Sequence, residues 1–545
     1  MNWPKNFGVR VVFLVLVVTL EHASSYSNFG LRGKPFQPPL NYSNGADSDR
    51  KLITNNEPLV IQNQGQGQSQ VQGQEQRQGR VRRLYLEPLR YEELERSFDV
   101  DALGSGSGPD SDSWDIRKDE EEEPMGIVSL NLTAYIRKGK ISDALIRSNV
   151  NFSAQLNIKS HAGYFIVNET FNTNLFFWYF PAKENSEKAP VVLSLCKDFI
   201  ECVLMHGGPI SFNDLGHFNV RPEFLSKKHH VIYIDHDIGS NFSFANHFRG
   251  VPSTPKEKGD ILLNVLEQFY HLFPSLRYND VFVSGHGEGS KLALYVAQSI
   301  HEHNNRQKSD EKINLKGIAI GSALIDPPKQ LFFGRFLHES GLIDANGKSE
   351  YLRMEKSVRD ALFKKDYVGA FKIYQNLTGS FFRRLTGYAR PFNILRNEKN
   401  SSELFNYNKL LNAVLEHSRV LSRISLPIFA KSLAEKAADS MISQADTVRK
   451  LLANYRILVY TGNLDILCSY RSMAVWLNAL SWPGAKRFRN AVQLEWRDAR
   501  DEVAGYVRKS GNLVEAVVRN AGHFMFADQP KWTLQLLEYF FRGAI

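Results

Sequence analysis

Cysteine is scarce: 545 residues carry three, Cys196, Cys202 and Cys468. So few exclude a small scaffold built on disulfides, and a chain this long can bury a core that needs no staples. Cys196 and Cys202 are near enough in sequence to close a small loop, which leaves Cys468 unpaired. Long apolar runs are scarcer still. The one clear run, Val11–Leu20, is too short to cross a bilayer, and nothing after it is apolar enough, so no membrane span is expected. A strong charge excess is missing as well. The formal net charge is +9, without a basic helix or a basic patch interleaved with aromatics, which argues against nucleic-acid binding. What remains is a globular composition, 43% hydrophobic and 12% aromatic.

Residues 1–25 have the layout of a signal peptide: Lys5 and Arg10, the apolar run, then Ala23 and Ser25 as small residues for cleavage. Acceptor sequons for N-glycosylation begin at Asn131, Asn151, Asn168, Asn241, Asn376 and Asn400. Together these predict passage through the secretory pathway, to a secreted or lysosomal destination. Residues 26–125 read as a disordered, low-complexity pro-region and linker. Gln62–Gln78 alternates glutamine with glycine and other polar residues, which bury too little to offset their ordering entropy. Leu103–Pro109 is a Gly/Ser linker and Asp119–Glu123 a solvated acidic run. Arg80-Val81-Arg82-Arg83 has the character of a processing site cut after Arg83. Leu84–Phe98 reads as a short isolated helix.

From residue 126 to 545 the composition is that of one folded domain. Ala162–Phe180 holds two strand-like runs around a polar turn, Asn172-Thr173-Asn174, and predicts a hairpin. Pro190–Leu195, Cys202–Met205, Val231–Asp235, Gly317–Ile320, Arg456–Tyr460 and Glu515–Arg519 read as strands. Asp260–Phe273 has helical spacing, and Trp532–Phe541 a C-terminal helix. Strands alternating with helices predict an α/β fold with a mostly parallel sheet. The helix-rich block at about 326–445 reads as a cap inserted over the sheet.

The most informative stretch is Val281–Leu294. An apolar strand runs into Gly285-His286-Gly287-Glu288-Gly289 and then into a helix-like segment. This is the layout of a nucleophile elbow, where glycines permit a sharp turn and a central serine projects its hydroxyl. Here the centre is Gly287, which has no side-chain oxygen and forms no acyl-enzyme.

Seven further segments occur in a fixed order: LNLTAYIRKGKISDA (Leu130–Ala144), NTNLFFWYFPA (Asn172–Ala182), HGGP (His206–Pro209), VIYIDHDIGSNFSF (Val231–Phe244), INLKGIAIGSALIDP (Ile313–Pro327), ILVYTGNLDILC (Ile457–Cys468) and VVRNAGHFMFADQP (Val517–Pro530). On these segments, Ile127–Ile545 resembles the serine carboxypeptidases, nearest to the vitellogenic-carboxypeptidase-like branch. The resemblance implies an α/β-hydrolase fold with a helical cap, no cofactor, and peptide ligands. It puts the Ser-Asp-His triad at Gly287, Asp465 and His523, where the histidine takes the serine's proton and the aspartate orients the imidazole. It puts the oxyanion hole at the N–H groups of Gly208 and Glu288. It puts the groups that hold a substrate's C-terminal carboxylate at His206 and His286, where the family has Asn or Gln and Glu.

The departures from the family pattern gather at this site. Ile210 replaces a glycine after Gly208-Pro209, His236 and Asp237 replace Asn and Pro, and Cys196–Met205 contains an apparent insertion. Glu288 brings negative charge to where an oxyanion would develop, opposing the stabilisation such a site supplies. The expected protein is a secreted, catalytically impaired pseudoenzyme that binds a peptide or protein ligand. The alternative is an active carboxypeptidase releasing C-terminal residues, through Ser290 one helical turn on or through a water activated by His523 and Asp465. His206, His286 and His523 facing one cleft would suit zinc. The plainer reading is polar residues filling a solvated pocket, and no metal is assigned. No oligomeric state is implied.

Overall fold

The computed structural model describes residues 129–150, 156–213, 217–239, 241–309, 311–396, 410 and 426–545. The signal peptide, the pro-region with Arg83 and the Leu84–Phe98 segment, and the sequons at Asn151 and Asn400 lie outside the described residues.

The hairpin forms as expected. β1 (His161–Asn168) and β2 (Thr173–Phe180) pair antiparallel, with Asn172 at φ 45° in the turn. Asparagine tolerates that left-handed conformation better than most residues. Every residue of β2 is buried, and Phe165 stacks on Phe177 with centroids 4.6 Å apart. Next come β3 (Val191–Leu195), α1 (Phe199–Met205), the short pair β4 (Ile210–Phe212) and β5 (Phe218–Val220), and β6 (His230–Asp235). α2 (Pro255–Leu272) follows, begun by a capping box in which Thr254 and Glu257 satisfy each other's backbone N–H. Then come β7 (Val281–His286), α3 (Gly289–Asn304) and β8 (Leu315–Gly321).

The described residues between 326 and 445 contain helices and no strand, as the cap reading requires. They include α4 (Ala345–Phe363), α5 (Tyr367–Thr378) and α6 (Leu426–Met441). The cap has a core of its own, with Leu337, Tyr351, Val358 and Leu377 at its centre. The chain then returns through β9 (Arg456–Gly462), β10 (Leu494–Arg497), β11 (Val503–Ser510), β12 (Leu513–Val518) and α7 (Pro530–Phe541).

The main sheet runs β1-β2-β6-β3-β7-β8-β9-β12-β11-β10. Its centre, β6-β3-β7-β8-β9-β12, is parallel, and the outer strands pair antiparallel. Successive residues of the central strands enter different cores. Val281 and Val283 pack with α2 and α3, while Phe282 packs with Phe540 and Phe541 of α7. Burial on both faces is why these strands read as unbroken apolar runs.

One expected strand is overturned. Cys202–Met205 belongs to α1, not to the sheet. Asp198 caps this helix by accepting from the Glu201 N–H at 3.0 Å, and a Cys196–Cys202 disulfide ties its first turn to the end of β3. Cys468 is the free cysteine, and it is buried.

Candidate active site

β7 ends at His286 and α3 begins at Gly289, so the turn between them is Gly287-Glu288. The flanking glycines are forced by contact. A Cβ on Gly285 would lie 2.4 Å from Ser290 Cα, and one on Gly289 would lie 2.2 Å from Leu195 O. Gly287 differs. Its φ is +53°, the strained turn of an elbow, but a Cβ there would meet only His523 Nε2, at 3.8 Å. The one glycine of the turn that packing does not demand stands where a nucleophile's side chain would point at the histidine.

The other two triad positions come together as expected. Asp465 follows β9 and His523 follows β12, neighbouring parallel strands whose carboxyl ends lie side by side. His523 Nδ1–H donates to Asp465 Oδ2 at 3.0 Å, which leaves Nε2 bare toward Gly287. Asp465 Oδ1 accepts from the Cys468 N–H at 2.9 Å. The cap holds the ring in place: Phe392 stacks on it with centroids 5.4 Å apart, and the Phe392 carbonyl accepts the His523 N–H at 2.7 Å.

The two expected oxyanion donors are Gly208 and Glu288. Among the described residues no acceptor faces either N–H. Gly208 has no room for a side chain, since a Cβ would sit 2.1 Å from Val203 O. Ile210 is fully buried and opens β4, paired with Val220, so the substituted residue is absorbed into a two-stranded ribbon. Ser290 is also fully buried, and its hydroxyl donates to Gly321 O at 3.3 Å. It faces away from the cleft and does not serve as a replacement nucleophile.

His206 and His286 lie ring against ring, centroids 3.8 Å apart, and His286 packs on His523 at 4.9 Å. His286 Nε2–H donates to the His523 carbonyl at 2.9 Å. Burial lowers the pKa of both, that of His286 strongly. His206 Nε2 stands 3.7 Å from Glu201 Oε1, within ion-pair range but without a hydrogen bond. His236 Nε2–H donates to the Cys196 carbonyl at 2.7 Å, and burial with Lys436 nearby pulls its pKa down to about 4. Asp237 pairs with Lys436 of the cap at 2.5 Å.

The zinc arrangement does not assemble, because His286 Nε2 is taken by a carbonyl and His206 turns to Glu201. Among the described residues the group with clustered ligand atoms is Asp465, Cys468 and His523. Both Asp465 oxygens already accept hydrogen bonds there, and burial next to Asp465 holds the Cys468 thiol protonated. That set is a hydrogen-bonded dyad with a thiol beside it.

These groups line a cavity of about 420 Å³ between the sheet's carboxyl edge and the cap. Sequence reading missed Glu201, Phe392 and Lys436 as members of its wall. Asp198-x-x-Glu201 is a helix-start pattern that pointed to α1 and hence to Glu201. Phe392 and Lys436 enter only through the cap's tertiary position. One sequon is corrected: Asn241 is 7% exposed and its Nδ2, the atom a glycan would occupy, donates to Asp198 Oδ2 at 3.0 Å.

Comparison with known proteins bears on the family and the fold. The family profile described as Serine carboxypeptidase matches residues 151–543. The venom serine carboxypeptidase of Apis mellifera is 35% identical over 433 residues, 77% of this chain and 92% of that protein. The vitellogenic carboxypeptidase of Aedes aegypti is 31% identical over 452 residues, 78% of this chain and 91% of that one. The crystal structure of Kex1(delta)p, a prohormone-processing carboxypeptidase from Saccharomyces cerevisiae, covers 74% of this chain and 96% of its own. It matches at a TM-score of 0.61 and 19% identity, which shows the shared fold. The chain belongs to the serine carboxypeptidase family.

Proposed function

We infer that this chain is a member of its family without carboxypeptidase turnover, which keeps the cleft to bind a peptide or protein ligand. One observation carries the reading: Gly287 stands at the centre of an intact elbow, facing an intact His523–Asp465 pair, with no side-chain oxygen between them. Retained binding and oxyanion groups leave about 10³-fold acceleration over water in triad-deleted proteases, which is far from enzymatic turnover. The signal-like residues 1–25, the sequons at Asn131, Asn168 and Asn376, and the basic site ending at Arg83 support a secreted or lysosomal glycoprotein that is processed after Arg83.

The bare Nε2 of His523 favours one second reading, a water in the space beside Gly287 acting as nucleophile with His523 as general base. The test is turnover of N-blocked dipeptides by the purified secreted protein between pH 4 and 7. The expected result is none above that of a His523→Ala variant. Turnover that disappears in His523→Ala would overturn the pseudoenzyme reading and establish the water route.

A further inference from the structure

One surface turn carries charge that nothing around it balances. Ile466–Leu494 contains no aspartate or glutamate, and inside it stands Ala485-Lys486-Arg487-Phe488-Arg489-Asn490. No basic helix is expected from the composition, and the five-residue helix Ala485–Arg489 is the exception. Phe488 sets its roll. The ring is fully buried in the core that holds Trp476 and Leu477, and the Arg508 guanidinium of β11 lies 4.3 Å from its centroid. Successive residues of an α-helix are turned by about 100°. With Phe488 pointing inward, Lys486 points almost straight out, and Arg487 and Arg489 flank it at about 100° and 60°. All three are exposed.

Among the described residues none of the three cations has an ion pair, and Arg489 has one hydrogen bond, Nη1 to the Asn478 carbonyl at 3.3 Å. The strands on either side of β11 hold one carboxylate each, and both are taken. Glu495 of β10 pairs with Arg497 at 3.0 Å, and the buried Glu515 of β12 pairs with Arg508. Like charges three residues apart on a helix, with about 5–6 Å between their Cβ atoms, repel each other. No carboxylate of the fold relieves that repulsion here, and a row of outside anions would.

We propose that this turn is a docking site for a sulfated polysaccharide, held by Lys486, Arg487 and Arg489. None of the three lines the cleft cavity, so the site goes beyond the cleft-binding reading. Only the extracellular occupant rests on the secretory part of that reading. The turn withholds apolar contact. Its large apolar side chain, Phe488, faces inward, leaving nothing to insert into a lipid surface, to stack on a nucleic-acid base or to fill the centre of a protein interface. What it offers is charge alone. A sulfated glycosaminoglycan is a linear chain of closely spaced fixed anions, and the planar guanidinium of arginine donates paired hydrogen bonds to oxyanions. Runs of lysine and arginine of this length recur in heparin-binding patches.

The experiment is binding of the full secreted chain to a fluorescent heparin oligosaccharide over a range of salt concentrations, beside desulfated heparin, polyglutamate and double-stranded DNA. Heparin is expected to bind at least about tenfold tighter than each of the others. A triple variant, Lys486→Gln, Arg487→Gln and Arg489→Gln, is expected to lose about thirtyfold in heparin affinity. Its slope of log affinity against log salt should shrink in magnitude by about three, one for each cation removed. A second triple variant, Lys308→Gln, Lys312→Gln and Lys364→Gln, removes the same charge from exposed lysines that also lack ion pairs. It is expected to keep its heparin affinity within about twofold. Should the first triple variant fail to fold, Arg487→Gln alone carries the test, with a loss of about threefold and a slope smaller by about one. Equal losses in the two triple variants, equal binding of desulfated heparin, polyglutamate or DNA, or no binding of heparin would each overturn the site and leave the cleft reading standing. A chain that never reaches the medium would remove the secretory reading and this occupant with it.

Discussion

At the scale of single residues, Gly287 invites a direct reversal. A serine there meets no steric obstacle, because the added Cβ sits 3.8 Å from His523 Nε2 and near nothing else. Its cost is conformational. A non-glycine residue at φ +53° loses about 1 kcal/mol relative to glycine. Gly287→Ser is therefore expected to lower stability by about 1 kcal/mol and to become labelled by a fluorophosphonate, while wild type and Gly287→Ala stay unlabelled. An unlabelled, folded serine variant would show that the Glu288 carboxylate or the Ile210 ribbon has disabled the oxyanion site as well. Gly287, Asp465 and His523 were legible in the sequence because each sits inside a contiguous motif fixed by a strand end. Glu201 was signalled only by the Asp198-x-x-Glu201 helix start, which the strand reading of Cys202–Met205 passed over.

At the scale of elements, the end of α6 is one of the places where the cap is fastened to the sheet domain. Asp439 of α6 pairs with Lys258 of α2 at 2.9 Å and accepts the Tyr295 hydroxyl of α3 at 2.6 Å. Lys291 of α3 caps the same helix end through three backbone carbonyls. The last carbonyls of a helix lack intrahelical partners and carry partial negative charge, so a lysine is well placed there. Asp439→Ala strands the buried Lys258 ammonium and is expected to cost about 3 kcal/mol. Hydrogen exchange should speed up across α6 before the sheet responds. Exchange that rises uniformly through the protein would mean that the cap has no independent attachment. The cap as a helical insertion was legible from its lack of strand-like runs. This attachment was not, because it joins residues about 180 positions apart. Nor were β10 and β11: they form the sheet's outer edge, where Leu494 and Tyr506 stay exposed and the apolar signal is weak.

At the scale of the whole molecule, the buried imidazoles set an acid limit on the fold. Burial lowers the pKa of His206, strongly that of His286, and that of His236 to about 4, so the folded chain takes up protons on these rings at lower pH than the unfolded chain does. The unfolded state then binds more protons below pH 6.5, and stability falls as pH falls through that window. Asp235 works the other way. Burial raises its carboxyl to about 7, so acidification below 7 protonates the folded chain first and relieves a cost that is present above it. The sum therefore depends on how many histidines remain. At pH 5 each histidine held neutral contributes a loss of about 2 kcal/mol relative to neutral pH. His286 is the most strongly affected, packed against His206 with its Nε2 on the His523 carbonyl. Replacing it with glutamine retains a donor for that carbonyl and removes one titrating group. The fall in melting temperature between pH 7 and pH 5 is expected to shrink in His286→Gln, whatever the variant's stability at pH 7. An unchanged fall would mean that the cleft histidines become charged without unfolding the protein, and that Glu201 rather than burial governs their titration.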